Sequence, residues 1–205
     1  IQWSPVGNAG NANDAATGSL YGGVGYAYNI GTYDVTNAQY AAFLTEKAKS
    51  GPLGLYNESM GSDMRGGITR SGVSGSFTYA AKTNMGNKPV NFVSWYNSIR
   101  FANWLNNGQG SGDTETGAYT LLGGTPTPSN GLSITRNAGA SVFLPSESEW
   151  YKAAYYNPGT SSYFRYATSS NVTPTASVPT GLANHANYNL VVGNLTDVGA
   201  YTGTT

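Results

Sequence analysis

Three features of the chain predict an α+β fold. Segments opening at Thr36, Ser94 and Ser146 carry helix-start chemistry followed by apolar residues at helical spacing. Long stretches rich in Gly, Asn, Ser and Thr separate them, and 28 of the 205 residues are glycine. Strand-like alternation occurs only in short pieces. Short helices set apart from a few small sheets make α+β rather than a regular βα alternation. The length suits one core, so a single domain over residues 1–205 is expected.

Residues 1–20 form a polar, turn-rich lead-in around Gly7 to Asp14. From Tyr21 to Val35, Val24, Tyr26, Tyr28 and Ile30 share one parity, a strand pattern, with Gly31 marking a bend. Thr36 and Gln39 have the spacing of a capping box, and Val35 against Tyr40 that of a hydrophobic staple. Tyr40, Phe43 and Leu44 then lie on the inward face, while Lys47 and Lys49 sit near the negative end of the helix dipole. Residues 50–87 are Gly-rich, with a short strand expected at Ser76 to Ala80. Ser94 starts a second helix that Asn107-Gly108 stops, with Phe101, Trp104 and Leu105 turned inward beside Trp95 and Ile99.

A polar excursion follows, with Ala118 to Leu122 and Leu132 to Thr135 as candidate strands. In Phe143 to Tyr156, Pro145 biases Ser141 to Leu144 towards an extended strand, and Ser146 with Glu149 forms another capping box. Trp150, Ala153 and Ala154 fall at i, i+3 and i+4, which predicts an indole driven into the core. Asn157-Pro158-Gly159 ends this helix, and Tyr163 to Ala167 reads as a strand before a Thr/Ser/Pro-rich run to Thr180.

Composition removes several functions. Net charge is zero, 10% of residues are charged, and the cations are scattered singly, so neither nucleic acid nor an anionic membrane surface is an expected partner. No apolar run is long enough to span a bilayer. With no cysteine, thiolate metal sites, disulfides and a Cys nucleophile are all excluded. His185 is the one histidine and lies in a turn-like context. Gly22-Gly23-Val24-Gly25 is not a phosphate loop, because no Lys-Ser/Thr follows it. Sixteen tyrosines among Gly, Asn and Ser suit a contact surface, so an extracytoplasmic location is expected, with a leader already removed.

Three segments carry a family resemblance. Leu144-Pro145-Ser146-Glu147-Ser148-Glu149-Trp150 resembles the Leu-Pro-Thr-Glu-Ala-Glu-Trp signature of the formylglycine-generating enzyme, or sulfatase-modifying factor, family. Tyr33 to Phe43 resembles its Glu-Val-Thr-Asn-x-x-Tyr-x-x-Phe opening, and Pro89 to Trp95 its Pro-Val-x-x-Val-Ser-Trp segment. The resemblance implies a C-type-lectin-like fold of the sulfatase-modifying type, loop-rich with small antiparallel sheets. It also implies a copper oxidase built on two cysteines near a Gly-Asn-Val-x-Glu-Trp motif. This sequence has neither, and Ala102 stands where many members carry Cys.

The family's calcium site implies one possible cofactor here. Ala186-Asn187-Tyr188 is similar to its Ala-Asn-Ile segment, and Val198-Gly199-Ala200-Tyr201 to its Val-Asp-Ala-Phe. Asn187, Tyr188 and Tyr201 are the candidate calcium ligands; Gly199 replaces the Asp, and Asp197 comes two residues early. An Asx turn is the alternative for Asn187. Two functional readings stand. One is a non-catalytic extracytoplasmic module that binds a protein partner or self-assembles. The other is the N-terminal part of a formylglycine-generating oxidase whose active-site segment is not in this chain. A lectin-like fold leaves a glycan ligand open, with no calcium-dependent sugar triad to support it.

Overall fold

A computed structural model of the chain describes residues 1–203. In chain order its elements are β1 (Trp3–Val6), β2 (Tyr28–Gly31), α1 (Asn37–Lys47), α2 (Ser59–Ser62), β3 (Ile68–Ser71), β4 (Thr78–Ala81), α3 (Trp95–Asn106), α4 (Glu147–Tyr155), β5 (Tyr156–Asn157), β6 (Ser162–Tyr163), β7 (Thr175–Ala176) and β8 (His185–Ala186). Single 3-10 turns lie at Ala15–Thr17 and Gly131–Ser133. This is an α+β arrangement. The strands pair two by two, β1–β2, β3–β4 and β5–β6 antiparallel and β7–β8 parallel. The chain divides into two compact units, Val35–Leu144 and a second made of Ile1–Asp34 with the chain from Pro145 onward.

In the first of these, the central unit, helix α1 begins as the capping box requires. Thr36 Oγ1 accepts from Gln39 N at 3.2 Å, and Gln39 Oε1 accepts from Thr36 N at 2.9 Å. Tyr40, Phe43 and Leu44 are buried, as their spacing demands. Ser94 caps α3 through Asn97 N, and that helix brings Phe101 and Trp104 onto the same core. Phe43 meets Phe101 edge to face and Trp104 at a tilt, each at 5.3 Å between ring centres. The β3–β4 hairpin pairs Ile68 with Ala81 and adds buried Ile68 and Tyr79 to this cluster. Trp95, expected inward, is 48% exposed, because as the first residue of α3 it precedes the turn that packs.

Polar side chains replace strand ladders in the rest of the unit. Neither Ala118–Leu122 nor Leu132–Thr135 forms a strand. Asn103, fully buried, donates to the Thr114 and Tyr119 carbonyls and accepts from Tyr119 N. Arg100, also fully buried, pairs with Glu115 through two contacts of 2.6 and 3.1 Å. Its remaining protons go to Asn97 Oδ1 and the Thr125 and Pro126 carbonyls. All five guanidinium donors are thus placed, which is what a buried arginine requires. The expected strand at Ser141–Leu144 is likewise absent, and Asn106 Oδ1 takes the Ser141 and Val142 amides instead.

In the second unit, the alternation from Tyr21 becomes strand only over Tyr28–Gly31, paired with Trp3–Val6, a strand that lacked a sequence signal. Helix α4 has its capping box but turns a different face inward. Glu149 and Lys152 are buried, whereas Trp150 is 51% exposed and rests edge-on against Tyr155 at 6.0 Å. The cap explains this. Glu149 must reach back to Ser146 N, at 2.6 Å, and that fixes its direction. The residue one position on lies about 100° further round the helix. Phe43→Ala should therefore cost about 3–5 kcal/mol in urea unfolding, and Trp150→Ala about 1 kcal/mol or less, since it removes an exposed ring and one edge contact.

Candidate functional site

Around α4 the second unit gathers its titratable groups. Tyr26 Oη donates to Glu149 Oε1 at 2.5 Å, and Tyr28 Oη donates to the Glu149 carbonyl. Burial, and behind it the Glu149 carboxylate, pushes the Tyr28 phenol up to about 12. Lys152 Nζ donates to the Asn8 carbonyl at 2.9 Å, and burial lowers its pKa. Tyr151 Oη donates to Asp14 Oδ2 at 2.8 Å. Burial, and then that carboxylate, raises Tyr151 to about 12. Its ring lies 4.7 Å from Tyr155 and 5.6 Å from Tyr163. Neutral phenols at pH 7 donate hydrogen bonds; they are not bases. The cluster binds the lead-in to α4.

The glycine-rich turn is closed to phosphate for a related reason. Asn13 Oδ1 accepts from Gly23 N at 2.6 Å and Asn11 Oδ1 from Val24 N at 3.3 Å, so those amides are already committed. His185 Nδ1 and Ser177 Oγ share a hydrogen bond of 2.8 Å that straps β7 to β8. Nucleophilic catalysis would need an orienting acid for the imidazole. No group of three or more His, Cys, Asp and Glu side chains placed to hold a metal occurs among the described residues.

The candidate calcium ligands are engaged within the same stretch of chain. Asn187 Nδ2 donates to the Asn194 carbonyl at 2.9 Å, Tyr188 Oη to that of Pro174 at 2.5 Å, and Tyr201 Oη to that of Ser177 at 2.6 Å. Calcium takes six to eight oxygens with carboxylate charge among them, and Asp197 is the sole carboxylate between residues 187 and 201. Gly199 has φ +69°, and a Cβ there would lie 2.9 Å from the Tyr33 ring. A side chain at 199 would displace the Tyr33 ring, and within residues 187–201 Asp197 is the one carboxylate a calcium ion could draw on.

The central unit contains an open cavity of about 380 Å³. Val35, Val90, Val93 and Leu144 form apolar walls, and Tyr40, Phe92 and Phe101 contribute rings. It carries no charged group. Tyr40 Oη points away to the Leu55 carbonyl at 3.1 Å. Sequence reasoning had placed these residues in motifs and in the core, and no pattern in the sequence reveals the space between them. Ala102 is buried in α3, among Ile99, Ala118 and Tyr119.

Comparison with known proteins adds three findings. Residues 23–201 match the model of the sulfatase-modifying factor enzyme 1-like domain. No curated protein matches the chain. A solved structure described as "Crystal Structure of CarF" aligns with a TM-score of 0.52 at 20% sequence identity, covering 92% of this chain and 69% of that one. At that identity the likeness is one of fold.

The raised phenols have a measurable consequence. A tyrosine whose folded pKa exceeds its unfolded value of about 10 contributes stability that is complete below pH 10. That contribution is lost as pH rises towards the folded values of about 12 for Tyr28 and Tyr151. Unfolding midpoints should therefore fall between about pH 10 and 12, and Tyr28→Phe should make that decline shallower.

Proposed function

Since the chain belongs to the sulfatase-modifying factor enzyme 1-like domain family, with residues 23–201 matched, we propose that it is a non-catalytic member that works by binding protein, a partner or copies of itself, outside the cytoplasm. The observation that carries this reading is the empty cysteine count. Copper-dependent thiol oxidation needs a thiolate soft enough for Cu(I) and able to engage the substrate, and the residues from 23 to 201 supply none. The extracytoplasmic setting and the binding role draw support from a neutral chain rich in Tyr, Gly and Asn. Short elements joined by ordered loops support a C-type-lectin-like form of the α+β fold.

One observation favours a second reading, the N-terminal part of a formylglycine-generating oxidase: the alignment covers 69% of the solved chain it resembles. One assay tests the non-catalytic reading. Incubated with copper, oxygen and a cysteine-containing sulfatase peptide, the chain should leave the peptide mass unchanged, and an aldehyde product would overturn the non-catalytic reading. Light scattering should give a mass above the 21.4 kDa of one chain, either at high concentration or with a partner.

A further inference from the structure

We propose that the central unit's cavity is a receptor for one neutral aromatic side chain, tyrosine or tryptophan, presented by a protein partner. This rests on the protein-binding reading above and gives it a site. Four aliphatic walls and three aromatic rings line an open space of about 380 Å³, a size and composition suited to a single apolar group. Phe92, 38% exposed, is the ring best placed for edge-to-face contact with an incoming ring.

The polar lining sets the charge and hydrogen bonding of the guest. Asn91 Nδ2 donates to the Arg65 carbonyl at 3.2 Å, which leaves Oδ1 as an acceptor. Ser98 Oγ gives its proton to the Ser94 carbonyl at 3.1 Å and is likewise left to accept. Acceptors without a carboxylate suit a phenol O–H or an indole N–H and reject anions. With no lysine or arginine in the lining, an anionic guest would also be desolvated without compensation.

The mouth is built like a protein contact rather than a closed ligand chamber. Phe92 is held at φ +62° and 38% exposed. A bulky residue in the left-handed region is a genuine outlier, and such strain gathers at binding sites. Trp95, three residues on, is 48% exposed. An exposed aromatic in the lining of a pocket, as Phe92 is, gives a protein partner a ring to pack against.

The test titrates the full chain with N-acetyl-L-tyrosinamide and N-acetyl-L-tryptophanamide, read by chemical-shift changes. Benzoate and benzylamine serve as charged controls, and free p-cresol and indole as small-molecule controls. Saturable binding of the capped amides is expected, at least as tight as that of the free rings, with shifts at Val35, Val93 and Phe101. Ser98→Phe, which fills the space, should weaken it at least about tenfold. So should Phe92→Gly, which removes the ring while accepting the positive φ and so keeps the fold. No binding by any ring, equal binding of benzoate, or binding confined to the free rings would each overturn the proposal. The first of these, with self-association intact, would leave the non-catalytic reading standing, whereas aldehyde production would defeat that reading and not the receptor.

Discussion

Arg100 is the constraint on which the central unit depends. A guanidinium without solvent exposure is tolerable only when each donor has a partner. Here the partners are Glu115, Asn97 and the Thr125 and Pro126 carbonyls. That requirement works in both directions. The charge is satisfied because the 113–126 loop is folded around it, and the loop has a defined path because it supplies the acceptors. Asn103 performs the same service at Thr114 and Tyr119. Two residues of one helix thereby replace the ladder of hydrogen bonds that strands would have provided.

Helix α4 solves the equivalent problem in the second unit with opposite charge. Glu149 serves its own N-cap and accepts from Tyr26 on its carboxylate and from Tyr28 on its backbone carbonyl, so the residue that helps start the helix also fixes the chain around Tyr26 and Tyr28. Half-buried Tyr28 and Tyr151, each near a carboxylate, stay protonated well above pH 7, and the lysine beside them spends its reach on a backbone carbonyl. These titratable groups organise loops. They leave the cavity walls, which are uncharged, as the surface for recognition.

Local chemistry was legible in the sequence; direction in space was less so. Caps at Thr36, Ser94 and Ser146 depend on side chains within three residues of one another, and all three helices begin where those residues stand. Tyr40, Phe43 and Leu44 were readable from their spacing, although buried Asn37 shares their face. At α4 the apolar spacing of Trp150, Ala153 and Ala154 pointed the wrong way, because the buried face is claimed by Glu149 and Lys152, whose partners are distant in sequence. Arg100 had a faint signal. It stands between Ile99 and Phe101 on the inward arc, three residues from Asn97 and Asn103, a polar stripe that makes sense only once the loop carbonyls are seen. Candidate strands at 118–122 and 132–135 misread loops: side chains answer the Tyr119 and Leu122 amides, and the Ser133 amide closes a local turn onto the Asn130 carbonyl. The family motifs were legible for the fold. They said nothing of the cavity between them.

The most direct measurement is urea unfolding of Arg100→Met together with amide hydrogen exchange. If the guanidinium organises the loop, the variant loses about 3–5 kcal/mol, because Glu115 and the loop carbonyls are left without their partner. Amides of residues 114–121 then exchange faster, while those of α1 keep their protection relative to global unfolding. A loss below about 1 kcal/mol, with the 114–121 amides still protected, would contradict the account, since the loop would then hold its shape without the charge at its centre.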